Sequence, residues 1–141
     1  KSKSCVVSVC LLSSMIHSTM VNANEIKNQN LSNPSGTTIH SNWHTVLLNS
    51  GGPYTINNAG TITVTQSSGI NAQVETDVTN TGTVEVLYNS SNSGRGIQAY
   101  QAPGTSSFTN SGIVKVTGSG WYNAAIMAND SNLSTIENKD H

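Results

Sequence analysis

Charge is scarce in this chain of 141 residues. Asp, Glu, Lys and Arg together make up 9% of it, against roughly a quarter in ordinary soluble domains. The formal net charge is −1, and beyond residue 23 the only cations are Lys27, Arg95, Lys115 and Lys139, set against seven acids. Recognition of phosphate backbones needs clustered Lys and Arg, so nucleic acid is excluded as a partner. Aromatic residues are also few, at 5%, which rules out a core built on large rings. No stretch approaches the roughly 20 apolar residues that a membrane-spanning helix requires. The two cysteines, Cys5 and Cys10, both fall in the first ten residues, so no disulfide can staple the remainder.

Those first residues read as an export signal. Lys1 and Lys3 give a positive start, Cys5 to Ile16 is mostly apolar, and Val21-Asn22-Ala23 ends on small residues. Residues 1–23 are therefore expected to be a helical signal peptide cut after Ala23. Once cut, the chain would hold no cysteine and would depend on burial and backbone hydrogen bonds.

What the chain has in quantity is Asn, Ser and Thr, at 18, 21 and 16 residues. Such a composition suits either disorder or β-structure with amide- and hydroxyl-rich turns, and periodicity decides between them. Ile56-Asn57-Asn58-Ala59-Gly60-Thr61-Ile62-Thr63-Val64 aligns without gaps with Val78 to Val86 and with Phe108 to Val116. The shared pattern is apolar-x-Asn-x-Gly-x-apolar-x-Val, and a further copy opens at Ile136-Glu137-Asn138. A weaker motif, small-Ile-x-Ala, follows each repeat at Gly69–Ala72, Gly96–Ala99 and Ala125–Ala128.

Alternation of apolar and polar residues in Thr61–Val64 and Thr83–Val86 is the period of a strand with one buried face. The preceding Asn-x-Gly is read as a tight bend, with Gly accepting positive φ. A unit this small cannot bury its own apolar face, so successive units must stack. The expected fold is all-β: a right-handed parallel β-helix of about three to four coils. In it Ile62, Val84 and Val114 lie one above another, and Asn58, Asn80 and Asn110 form an amide ladder with Gly60, Gly82 and Gly112 at the same corner. Tandem antiparallel hairpins are the structural alternative. Residues 24–53 lack the repeat and are assigned as leader plus N-terminal cap or first incomplete coil, and residues 54–141 as the β-helix repeats.

These units resemble the passenger repeats of autotransporter (type V secreted) proteins over residues 54–141. The resemblance implies Sec export, passage through a C-terminal outer-membrane β-barrel that the 141 residues do not include, and display at the surface of a Gram-negative cell. It implies adhesion to an unnamed host or neighbouring-cell ligand without catalysis. Two alternatives stand beside it: a piece of a secreted β-helix polysaccharide-degrading enzyme, and a filamentous haemagglutinin-like exoprotein exported by a separate barrel partner.

No catalytic set, cofactor site or metal site is read from the residues. His40 and His44 would share one face of a strand, but no Cys, Asp or Glu stands beside them in sequence to complete a zinc site. Glu75, Asp77, Glu85, Arg95, Lys115 and Asp130 are scattered singly, whereas polysaccharide cleavage needs acids and bases converging. Glu85 and Lys115 share a repeat position and are expected to pair on one outward face. The remaining candidates are Tyr88, Tyr100, Trp121 and Tyr122, which could group as ligand-contacting aromatics or pack at a coil corner.

Overall fold

In a computed structural model the chain forms a parallel β-helix. The structure describes residues 25–87, 94–120, 122–129 and 135–138, together with the backbone of residues 19–22. The expected signal helix falls on residues 1–23 and so lies, apart from the backbone of 19–22, outside the described residues.

Among the described residues fifteen strands repeat in a fixed order and build three sheets of five strands each. Sheet A contains β1 (Thr19–Asn22), β4 (Thr37–Ser41), β7 (Thr61–Val64), β10 (Thr83–Val86) and β13 (Ile113–Val116). Sheet B contains β2 (Ile26–Lys27), β5 (His44–Leu48), β8 (Ser68–Ala72), β11 (Arg95–Tyr100) and β14 (Ala124–Asn129). Sheet C contains β3 (Leu31–Asn33), β6 (Tyr54–Asn58), β9 (Thr76–Asn80), β12 (Ser107–Asn110) and β15 (Thr135–Asn138). Every pairing among them is parallel. The hairpin alternative therefore fails: Ile62 pairs with Val84 and Val84 with Val114, all in parallel.

Apolar side chains stack in columns along the axis. Ile39, Ile62, Val84 and Val114 come from sheet A, Val46, Ile70, Ile97 and Ile126 from sheet B, and Leu31, Ile56, Val78, Phe108 and Ile136 from sheet C. Between the ends these side chains are buried, each worth about 1.5–3 kcal/mol against exposure. In β9 the inward residues Thr76, Val78 and Asn80 are buried and the outward Asp77 and Thr79 are exposed, as the period of two requires.

The segment assigned as leader and cap holds a complete coil. Leu31-Ser32-Asn33 stacks in register on Ile56-Asn57-Asn58, and Thr38-Ile39 on Thr61-Ile62. Between Asn33 and the next strand lies Pro34-Ser35-Gly36, a longer bend than Ala59-Gly60, and an alignment without gaps cannot bridge it. At the other side, the backbone of Thr19–Asn22 pairs with β4 from Thr37 to His40, so the last residues of the segment read as signal peptide add a strand to sheet A.

Candidate functional site

The most regular feature is the corner between sheets C and A. Asn33 Nδ2 donates to Asn58 Oδ1 at 2.7 Å, and the same 2.7 Å bond repeats from Asn58 to Asn80, Asn80 to Asn110 and Asn110 to Asn138. The expected ladder thus contains Asn58, Asn80 and Asn110, takes in Asn138 where the further copy of the repeat opens, and extends to Asn33, which was not expected in it. The backbone carbonyls of Asn33, Asn58 and Asn80 are used as well. Asn58 O accepts from Thr81 N and Gly82 N at 2.8 and 3.0 Å, and Asn80 O from Ser111 N and Gly112 N at 2.9 and 3.2 Å. A buried polar group without a partner is costly, and here nearly every one is satisfied by the next coil. The exception is Asn33 Oδ1, which is buried and accepts nothing.

The glycines serve the ladder for a different reason from the one expected. Positive φ occurs at Gly36, Gly51, Gly52 and Gly118, and not at Gly60, Gly82 or Gly112. A Cβ on Gly82 would meet the carbonyl oxygens of Gly60 and Ala59, and one on Gly112 would meet Gly82 O. The requirement is close approach of one coil's backbone to the next, not a left-handed turn.

The histidines do not share a strand. The chain bends at Asn42-Trp43, which leaves His40 on β4 and His44 on β5. His40 Nδ1 lies 2.9 Å from Thr63 Oγ1, and His44 Nδ1 lies 3.4 Å from Ser67 Oγ. Burial lowers the pKa of His44 from its ordinary value, and this outweighs the upward pull of the Glu25 charge and a hydrogen bond to the Ser68 backbone. Among the described residues no three His, Cys, Asp or Glu gather as a metal-binding group.

One ion pair among the described residues joins two coils on an outer face. Lys115 Nζ lies 3.2 Å from Glu85 Oε1, one coil above it in register, as the shared repeat position implied. Most other outward positions are hydroxyls and amides. On sheet C, Ser32, Asn57, Thr79, Thr109 and Glu137 form one outward column, and Thr55, Asp77, Ser107 and Thr135 form another. Such faces offer hydrogen bonds repeating every ~4.8 Å along the axis.

The aromatic candidates are only partly placed. Tyr88 and Trp121 lie outside the described residues. Tyr100 ends β11 beside Asn129 and is 37% exposed. Tyr122 is 70% exposed and precedes Ala124, which pairs with Arg95 at the opposite end of sheet B. The candidates Tyr100 and Tyr122 are therefore not brought together. Trp43, overlooked as a surface candidate, is 49% exposed and meets the His44 ring edge-on at 6.0 Å between centroids.

No family model, curated protein or solved structure matches this chain.

Proposed function

We propose that the chain is a non-catalytic passenger segment of an adhesin-like exoprotein, exported through Sec and presented at or released from the surface of a Gram-negative cell. The amide ladder of Asn33, Asn58, Asn80, Asn110 and Asn138 supports this reading above any other observation. It ties coil to coil without a disulfide or a metal, which suits a rod that must travel unfolded and fold outside the cell. The outward hydroxyls and amides suit a weakly charged surface meeting a host or neighbouring cell. A C-terminal outer-membrane barrel is the partner this role calls for.

Export is tested by expressing the complete gene in a Gram-negative host and treating intact cells with protease. Display predicts that the protein is digested from outside and that its mature N-terminus is Asn24. Retention in the cytoplasm with residues 1–23 still attached overturns the reading. Release of reducing ends from plant or bacterial polysaccharide would replace it with the enzymatic alternative.

A further inference from the structure

The strands of sheet B carry two cations, Lys27 and Arg95, and no acid, whereas Glu85 lies on sheet A and Asp77 and Glu137 lie on sheet C. In β8 Asn71 stands between the core residues Ile70 and Ala72, and in β11 Gln98 stands between Ile97 and Ala99. Both amides therefore point outward, on adjacent rungs of one column. A Cβ on Gly69 would meet Val84, and one on Gly96 would meet Val114, both in the interior. The residues just before them, Ser68 and Arg95, accordingly face outward beside the two amides.

These outward side chains are covered and yet not fully satisfied. Ser68, Asn71 and Gln98 are 0%, 7% and 5% exposed. Ser68 Oγ donates to Gln98 Oε1 at 3.2 Å, which leaves the Gln98 amide nitrogen as a donor on this face. Asn71 Oδ1 is buried and accepts nothing, a costly state for an amide oxygen. Arg95 Nε donates to Met127 Sδ, a weak acceptor, and among the described residues Arg95 has no carboxylate partner. One group thus lacks a donor, and its neighbour on the next coil lacks a strong acceptor.

A ligand that meets both needs must bring a hydroxyl or N–H together with an anionic oxygen. An extended peptide suits the face poorly, because β8 and β11 are paired along both edges and leave no edge for strand addition. A sugar ring bearing a carboxylate carries both groups on one rigid unit. We infer that the outer face of sheet B binds carboxylate-bearing saccharides. The carboxylate takes the place of the thioether and pairs with the fork of the Arg95 guanidinium. A ring hydroxyl donates to Asn71 Oδ1, and a second accepts from the Gln98 amide. Access to Asn71 Oδ1 takes a turn of Leu47 or Gln98, its neighbours in the column, from one staggered rotamer to another. As the ligand of an adhesin this saccharide rests on the function proposed above. The binding itself is measured on purified protein, so failure of export and failure of binding are distinguishable.

The test is retention of the purified chain on immobilised oligosaccharides. One set contains uronic acids, a second contains sialic acids, a third holds the same sugars as methyl esters, and neutral oligosaccharides and polyglutamate complete the series. Retention on uronic acids, sialic acids or both, without retention on esters, neutral sugars or polyglutamate, is expected, and the two acidic sets tell the sources apart. Arg95→Met keeps an aliphatic stem against Met127 and should weaken binding at least about tenfold. Lys115→Met, on sheet A, should leave binding unchanged. Asn71→Leu separates binding from structure. It removes a buried oxygen that has no partner, so the melting temperature should hold or rise while binding falls about tenfold. A wild type that holds no acidic sugar, or holds esters or polyglutamate equally well, overturns the inference. So does an Arg95→Met chain that binds as tightly as wild type, or an Asn71→Leu chain that melts lower and binds unchanged.

Discussion

Replacing Asn80 with Ala should be far more damaging than replacing Asn138, although both occupy the same repeat position. Asn80 is fully buried, accepts from Asn58 Nδ2 and donates to Asn110 Oδ1, both at 2.7 Å. Removing its amide leaves Asn110 Oδ1 with no donor. Asn58 Nδ2 loses one acceptor but keeps Thr83 O at 3.1 Å. An orphaned buried polar group costs about 1–3 kcal/mol, and the lost bond itself about 1. One full orphan plus a half-satisfied neighbour gives about 2–4 kcal/mol for Asn80→Ala. Asn138 sits at the exposed end, and its loss leaves Asn110 Nδ2 still bonded to Gly112 O at 3.2 Å. Water replaces the missing partner there, so Asn138→Ala should cost under about 1 kcal/mol. Urea unfolding followed by circular dichroism separates the two, because slopes of about 1–3 kcal/mol per molar convert a difference of about 1–4 kcal/mol into a midpoint shift of about 0.3–4 M. Equal losses at the two positions, or an Asn80→Ala variant within about 0.5 kcal/mol of wild type, would refute the ladder as a source of stability.

Gly82→Ala sets a Cβ against the carbonyls of Gly60 and Ala59, which are backbone and cannot yield, so it should cost about 2–3 kcal/mol. Gly36→Ala meets open space and strains only a φ of +81°, about 1 kcal/mol, and thermal melts that reverse this order would contradict the close-approach argument. His44 is held below its ordinary pKa by burial, so the unfolded chain binds its proton more readily than the folded one. Its contribution is therefore present above the ordinary His pKa of ~6.5 and is lost as pH falls below that value. Melts at pH 7 and pH 5 should show a drop for the wild type that His44→Gln removes, and a drop of equal size in the variant would assign it elsewhere. Lys115→Met breaks the pair with Glu85, but the lysine is 62% exposed, so stability should change by less than about 1 kcal/mol, and by less still as salt is raised. A larger loss in chemical unfolding would mean that the pair is not a solvated surface contact.

How far the fold can be read from the residues depends on whether coil length or coil register is followed. Ile62, Val84 and Val114 align by eye because the bend between Asn and strand is the same in those coils, and the structure stacks them accordingly. Leu31-Ser32-Asn33 carries the same apolar-x-Asn signal and joins the same ladder. It is hidden because Pro34-Ser35-Gly36 lengthens the bend, and because Val46-Leu47-Leu48 stands where later coils have Ile-x-Ala. Allowing one short insertion after the Asn would have revealed it. The role of the glycines was legible as a position but not as a cause: a close approach between coils and a left-handed turn both select Gly, and sequence alone does not separate them. His40 and His44 were misplaced for a related reason, since Asn42-Trp43 carries no glycine or proline to announce the bend.

The ladder also explains why unequal repeats can stack at all. Successive rungs are separated by 25, 22, 30 and 28 residues, yet every rung bond is 2.7 Å. Register is therefore set at one corner, and the differences in length are taken up elsewhere. From the coil of β7–β9 to that of β10–β12, the connection from sheet A to sheet B grows from residues 65–67 to 87–94, and that from sheet B to sheet C from 73–75 to 101–106. Lengthening a surface loop costs little, about 0.6 kcal/mol per doubling. Insertion is thus cheap at these two connections and prohibitive at the Asn-x-Gly corner, where it would break a buried chain of amides. In a rod built this way the faces supply length and a uniform polar surface.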